Sequence, residues 1–471
     1  MPIRKTKIVA TIGPSSSSER ELTGMIHAGM NVARLNFSHG QHEEHAEVVK
    51  TIRSLSEKLH IPVAILQDLS GPKIRIGTFE TETVHLMKDA SFILSTEPFV
   101  GNENRVFVNY KNLPNEVSEG SRIMLDDGKI RLRVESVKGT EIHCTVVNGG
   151  VIRGSRGVNV PGTKLSIGCL SKKDKDDLML GIKEKVDFVA LSFVQTADDI
   201  RALRKILHEH KSHIAIIAKI ETEEAVVNID EIIEVSDGIM IARGDLAVEI
   251  PAEDVPLTQK MIIKKSIEAG KPVITATQML DSMITSPVPT RAEVSDVSNA
   301  ILDGTDAIML SGETATGDHP VLTIETMSRI AMRTESSENF QESVRRFKRT
   351  TKGVADSVSL AVVVAAENIE AKAIIALSET GFTPRMISRY KPKQNIFVFT
   401  PHVEARNRAI LSFGCVPELG PHFTDLNEAT DYAKRFLAQR KNLKEGDKFV
   451  LCAGIPFGKP GSTNLMLAHT M

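Results

Sequence analysis

The sequence contains no tryptophan and only 3 tyrosines among its 471 residues, so it offers few ring platforms on which nucleobases could stack. It carries no excess of charge either. A formal net charge of −2 removes any electrostatic drive toward nucleic acid or an anionic membrane. No apolar run approaches the roughly 20 residues that a membrane span needs. The basic start "MPIRKTKIVATIG" leads into an apolar run too short for a signal peptide. The 4 cysteines (Cys144, Cys169, Cys415 and Cys452) lie far apart with no CxxC pair, and read as buried apolar fillers rather than a disulfide or zinc site. Together these absences predict a reduced, cytoplasmic chain with no nucleic-acid partner and no membrane partner.

What the sequence does have is length and a repeated pattern. With 41% hydrophobic and 25% charged residues it has an ordinary globular composition. Its length exceeds the roughly 250–300 residues at which single cores stop growing, so several domains are expected. Short β-rich runs occur at "KIVATIG" (7–13), "NVARLNF" (31–37) and "VAILQDL" (63–69). After a gap they resume at "DFVALSF" (187–193), "IAIIAKI" (214–220), "GIMIAR" (238–243), "PVITAT" (272–277) and "AIMLSG" (307–312). Most are separated by amphipathic stretches of helix length, such as "SSERELTGMIHAGM" and "ADDIRALRKILHEH". This alternation is the signature of a parallel (β/α)8 TIM barrel, here in two parts, 1–71 and 167–345.

The gap, 72–166, follows a different grammar. Alternating runs such as "SFILS", "RVFVNY" and "RIMLDDGKIRLRVESV", with "DDG" as a hairpin turn, predict an inserted all-β domain at the barrel rim, placed to act as a lid. From 346 to 471 the runs "AKAIIALSE", "NIFVFT", "CVPELG" and "GDKFVLCAG" predict a C-terminal domain built on an open α/β sheet. The polar link "ESSENFQESVRRFKRTTKG" (335–353) reads as a solvated boundary.

Barrel chemistry belongs at the carboxy-terminal ends of the strands, and polar residues gather there. Asn36 and Ser38 follow the second run, Asp68 the third, Lys219 and Glu221 the fifth. Arg243 and Asp245 follow the sixth, Thr277 and Gln278 the seventh, Ser311 and Glu313 the eighth. Glu221 and Asp245 form a hard oxygen pair suited to Mg²⁺ (or Mn²⁺), while Arg34, Arg75 and Lys219 suit phosphate oxygens; the combination predicts phosphoryl transfer. Taken singly, each has a plainer reading: Lys219 as a Schiff-base or structural lysine, Asp68 as a turn cap, Arg34 as an interstrand ion pair. His39, His42 and His45 have a metal-like spacing but read as a solvated helix face.

The segments "MNVARLNFSHG", "DLSGPKIR", "AKIET", "DGIMIARGDLAVEIP", "TATQMLDSM", "PTRAEVSDVSNAILDGTDAIMLSGETA" and "GSTNLM" resemble, in order, those of the pyruvate kinase family. The resemblance runs from the first strand to the C-terminus. It implies phosphoryl transfer from phosphoenolpyruvate to ADP, giving pyruvate and ATP in glycolysis, by a homo-oligomer expected to be a tetramer. It implies that Glu221 and Asp245 bind the divalent metal, and that Lys219 stabilises the moving phosphoryl group and the enolate. Arg34 and Arg75 hold phosphates, with Asn36 and Arg156 on the nucleotide side. Backbone amides of Ala242, Arg243, Gly244 and Asp245 cradle the substrate carboxylate. Thr277 contacts substrate and belongs to the relay that protonates the enolate carbon, with Ser311 nearby.

Departures from the family pattern carry their own expectations. Many members have Glu at position 73 and Thr after the strand-end Asp, and these need potassium; this chain has Lys73 and Leu69. Lys73 is expected to replace the monovalent cation beside Asn36, Ser38 and Asp68, so that K⁺ is not required. Arg156 and Ala247 stand where Lys and Gly are common. "LSETGFTPR" (377–385) predicts a strand, a loop and a helix from Pro384. It matches the family's effector loop, with Ser378, Thr380, Gly381 and Thr383 as the phosphate site for a sugar-phosphate or nucleotide effector, aided by "GKPGST" (458–463). Phe382 stands where many members have Gly, Lys or Arg. The stop after "STNLMLAHTM" predicts no further phosphohistidine-type domain. Two other readings are a lyase or aldolase barrel, and a metabolite sensor without catalysis.

Overall fold

Runs of Ile, Val and Ala that leave no polar face are stable only when covered on both sides. In the computed structural model, which describes residues 3–345, 351, 353–440, 443–459 and 461–471, such runs form a closed parallel barrel. Its strands are Lys7–Ile12, Val32–Asn36, Ala64–Asp68, Phe188–Leu191, Ala215–Ile220, Gly238–Ala242, Val273–Ala276 and Ala307–Leu310. Each pairs with the next, and the eighth returns to the first with Ala307 opposite Lys7. Helices cover the outside. The first, Glu19–Ala28, starts where the Ser18 side chain accepts the Glu21 N–H and stops at Gly29 with φ 113°. It buries Leu22, Met25 and Ile26, one stripe of its surface.

Side chains alternate along a strand, so parity decides what fills the barrel. Val9, Val32, Leu66, Phe188, Ala190, Ala215, Ile217 and Met309 pack inside, while Ile8, Ala33, Ile65, Val189, Ile216, Ala218 and Ile308 pack against the helices. Continuing the inward series, Thr11, Arg34, Asp68, Ser192, Lys219 and Ser311 form the layer above. This polar layer is therefore an extension of the core, fixed by the same register.

The opposite end is sealed. Ile410 and Leu411, from the C-terminal segment, join the interior cluster. Beside them Lys391, its side chain fully buried, sits 2.7 Å from Asp306. Asp306 also accepts the backbone N–H groups of Val273 and Phe413.

Between the third and fourth barrel strands the chain builds a six-stranded sheet with its own core, from Ile74 to Val160. The "DDG" turn joins Arg122–Leu125 to Ile130–Lys138, with Asp126, Asp127 and Gly128 all at positive φ. The C-terminal sheet has the order Cys415–Leu419, Asn395–Thr400, Ala373–Leu377, Lys448–Gly454, Thr463–Thr470. Its last strand is antiparallel and was not among the runs read from the sequence. It is a half-exposed edge strand, so its apolar alternation is weak. The effector-loop helix spans Phe382–Ser388, beginning two positions before the expected Pro384, with Gly381 at φ 83° as its cap. In the polar link, residues 346–350 and 352 lie outside the described residues, as do the expected boundary at 345/346 and Pro460 of "GKPGST".

All four cysteines are free and buried, and burial pushes their thiols up to about 12. No helix among the described residues is long and apolar enough to cross a membrane. Removing one partner of a buried ion pair leaves an uncompensated charge, at a cost of about 3–5 kcal/mol. Asp306→Ala is therefore expected to destabilise the chain by about that amount in urea unfolding, and more than Lys391→Met does, because it also strips acceptors from two buried amides.

Candidate active site

Four charged groups meet at the top of the barrel interior. The Lys219 ammonium lies 2.9 Å from Glu221 Oε1, 3.2 Å from Asp68 Oδ1 and 2.7 Å from Ser192 Oγ. Arg34 donates from Nε to Asp68 Oδ2 at 2.7 Å and from Nη1 to Thr11 Oγ1 at 2.8 Å. Asp68 and Glu221 are 1% and 2% exposed, Lys219 8% and Arg34 9%. Burial alone would raise Asp68, but Lys219 and then Arg34 outweigh it and hold its carboxyl below the ordinary range. Burial would likewise lower Lys219, yet Asp68 and Glu221 outweigh that and hold the ammonium above its usual value. The remaining oxygen of Glu221 accepts the Phe193 N–H at 2.7 Å.

The sixth and seventh strand tips interlock. Thr277 and Gln278 have φ of 70° and 52°, a left-handed backbone that a β-branched residue seldom adopts and that concentrates at functional sites. Arg243 sustains it, donating to the Ala276 and Thr277 carbonyls at 3.3 and 2.8 Å while Asp296 pairs with its guanidinium at 2.7 Å. The Arg243 side chain is thus committed to the strand tip, leaving only its backbone for the expected carboxylate cradle. The Gly244 N–H is also engaged, donating to Thr277 Oγ1 at 2.8 Å. At the eighth tip, buried Glu313 accepts the N–H groups of Ser311 and Leu280, bracing two strand ends.

Above this layer lies a cleft of about 600 Å³ between the barrel rim and the inserted sheet, lined by Lys73, Arg75, Arg156, Phe193 and Asp245 among others. Arg75 bridges to Gly157, which brings Arg156 alongside; Arg156 Nε is 3.4 Å from Asp126. Asp245 remains open to solvent, yet the concave walls strip part of its hydration. That burial, and then the negative charge of Glu221, push its carboxyl up to about 6. Glu221 and Asp245 suit a hard divalent cation, and no set of three His, Cys, Asp or Glu converges as a metal site among the described residues. Two carboxylates with the rest from water and substrate oxygens is a donor set that Mg²⁺ accepts.

Lys73 reaches Ser38 Oγ at 3.3 Å, and Asn36 Oδ1 accepts the Ser38 N–H. Asp68, grouped with them in the sequence reading, is instead engaged by Arg34 and Lys219. His42 pairs with buried Asp177 at 2.7 Å while its side chain stays 44% exposed, and His45 stacks on Phe37 at 4.1 Å, so the expected solvated face also packs the helix start. In the C-terminal sheet, Ser378, Thr380 and Thr383 line a small cavity of about 40 Å³ with Lys459. Ser378 Oγ accepts the Gly381 N–H, and Thr383 shares a 2.6 Å hydrogen bond with Thr463. Ser192 and Thr11 were missed as site residues, although strand parity marks both. Nothing local in sequence links Asp296 to Arg243.

A parallel eight-stranded barrel with a protonated lysine held between paired acids, and with arginine and lysine side chains lining a cleft at its carboxy-terminal rim, fits a TIM-barrel phosphotransferase. The chain belongs to the pyruvate kinase family: "Pyruvate kinase, barrel domain" matches residues 3–324 and "Pyruvate kinase, alpha/beta domain" matches residues 356–469. It is 46% identical over 472 residues to a pyruvate kinase of Geobacillus stearothermophilus, covering 99% of this chain and 80% of that one. Identity to a pyruvate kinase of Clostridium acetobutylicum is 44% over 467 residues, covering 98% and 99%. A crystal structure of a pyruvate kinase from Cryptosporidium parvum superposes with a TM-score of 0.92 at 36% identity, covering 99% of this chain and 96% of that one.

The Asp68 network carries a signed pH dependence. A carboxyl whose native pKa is depressed contributes stability that is present above its unfolded value, 3.8, and is lost as pH falls through the native one. Asp68→Asn should therefore cost about 3 kcal/mol near neutral pH. That deficit should shrink as pH drops below 3.8 in urea titrations run across the acid range.

Proposed function

We propose that this member of the family transfers the phosphoryl group of phosphoenolpyruvate to ADP, giving pyruvate and ATP in glycolysis. The observation that carries the reading is the Lys219 ammonium, held protonated between Asp68 and Glu221 directly beneath a cleft lined by Arg75, Arg156, Lys73 and Asp245. A fixed cation in a water-poor site stabilises charge that develops during transfer. A Schiff-base lysine needs a neutral amine, which this environment opposes. Glu221 and Asp245 would hold Mg²⁺ or Mn²⁺, which neutralises phosphate charge when bound. Arg34 and Arg75 handle phosphate, with Asn36 and Arg156 on the nucleotide side. Amides of the Ala242–Asp245 turn take the carboxylate, the Gly244 N–H being exchanged from Thr277 Oγ1, and Thr277 with Ser311 serves protonation of the enolate. A coupled assay of pyruvate formation should require both ADP and Mg²⁺; pyruvate release without ADP, or trapping of Lys219 by borohydride, would favour the lyase reading instead.

In this reading Lys73 takes the place of a potassium ion. Its ammonium is 3.3 Å from Ser38 and within the field of Glu221 and Asp245. Steady-state rates in sodium or an organic cation should match those in potassium within about twofold, and Lys73→Glu should create a potassium requirement. Strong potassium activation of the parent enzyme would end the idea. The loop with Ser378, Thr380, Gly381 and Thr383 is the proposed site for a sugar-phosphate or nucleotide effector, and a cytoplasmic homotetramer is the proposed assembly.

A further inference from the structure

The layer around Lys219 holds two buried hydroxyls that the reading above leaves unused, Thr11 beside Arg34 and Ser192 beside Lys219. Ser192 follows the fourth strand and is 2% exposed. Its Oγ accepts from Lys219 Nζ at 2.7 Å and donates to the Leu69 carbonyl at 2.7 Å. An ammonium has three N–H groups. Here they face Ser192, Glu221 and Asp68, and the two carboxylates have other commitments. Asp68 holds Arg34, and Glu221 is proposed to turn toward a metal, which would loosen its grip on Lys219. Ser192 is better fixed: its proton goes to the Leu69 carbonyl at 2.7 Å in preference to Asp68 Oδ1 at 3.5 Å, so its lone pair keeps facing the lysine.

The chemistry of the acceptor matters as well. A hydroxyl fixes the direction of an ammonium without neutralising it, whereas a third carboxylate would cancel the charge that a phosphoryl group must meet. The next residue completes the device. Phe193, at φ 54°, gives its N–H to Glu221, so one tight turn orients the lysine and the acid by separate bonds. Gly71, at φ 67° in the "SGP" turn, lies against this turn; a Cβ there would fall 2.7 Å from the Phe193 ring and 3.0 Å from Ser192 Cβ.

We infer that Ser192 is a positioning residue for the phosphoryl transfer, holding the Lys219 ammonium in place while its carboxylate partners exchange. The inference rests on the proposed role of Lys219. Ser192→Ala, Ser192→Thr and Lys219→Met are compared in the full chain by steady-state kinetics and by electron paramagnetic resonance of Mn²⁺ titrated into the free enzyme. Ser192→Ala should lower kcat about 10- to 100-fold, with KM for phosphoenolpyruvate and Mn²⁺ affinity each within about threefold of the parent. Ser192→Thr, which keeps the hydroxyl, should recover most of the loss. An unchanged kcat in Ser192→Ala, a loss matched by lost Mn²⁺ affinity, or a Thr variant as poor as Ala would overturn the inference. Lys219→Met separates the two levels. If it stays active, the role of Lys219 itself fails; if it is inactive while Ser192→Ala is unimpaired, only the positioning role falls.

Discussion

Everything at the active end of the barrel depends on a buried exchange of charge among Arg34, Asp68, Lys219 and Glu221. Any one of these groups alone at that depth would cost several kcal/mol, and only their mutual contacts make burial tolerable. They come from the second, third and fifth strands, so the pairing constrains barrel register as tightly as the apolar core does. Arg34 stands opposite Leu66, and Asn36 opposite Asp68. A slip of one residue would turn each charge outward against the helices and bring Ala33, Ile65 and Ala218 inside. Packing and electrostatics thus select the same alignment, which is the consistency expected of a chain with one native state.

The two ends of the barrel solve opposite problems. The amino-terminal end needs no access, and it is closed with apolar Ile410 and Leu411 and with a buried pair, Lys391 and Asp306. Lys7 adds a second buried ammonium there, bonded to the Cys415 carbonyl and lowered by burial to about 8. These contacts tie the C-terminal sheet to the barrel floor. The carboxy-terminal end must stay reachable, so its charges are covered only by the cleft and the inserted sheet.

Much of this was legible in the sequence because burial leaves a simple mark. Eight apolar runs ending in polar residues specify the barrel and its active rim, and the acids and cations at strand tips are visible one by one. The combination of partners was less legible. Asp68 reads as a neighbour of Lys73 because they share a turn, but barrel closure delivers it to Arg34 and Lys219 instead. Arg243 is visible at its strand tip, but the task of its side chain is not: it braces the left-handed backbone at Thr277, a conformation that no local composition announces. Ser192 was hidden for another reason: a serine after a strand is common, and only the inward series Phe188, Ala190, Ser192 distinguishes it. The edge strand Thr463–Thr470 was missed because its half-exposed face weakens the alternation on which strands are recognised.

The same charge ledger explains the behaviour of the groups around the quartet. Its two cations and two carboxylates cancel, so Asp245 meets no spare positive charge in direct contact. Burial by the cleft walls, and then Glu221, therefore hold its carboxyl near 6, with Lys219 and Lys73 offsetting only part of the effect. A divalent metal held there on the proposed reading would favour the ionised form. Lys73 stands at the edge of this field. Burial and repulsion from Lys219 lower its pKa, while Asp245 and Glu221 pull the other way. Its 3.3 Å contact with Ser38 places it beside the quartet rather than within it. If Lys73 takes the place of a monovalent ion, as proposed, the tether makes the difference: an ion must surrender its translational freedom each time it binds, whereas Lys73 is ordered once, when the chain folds.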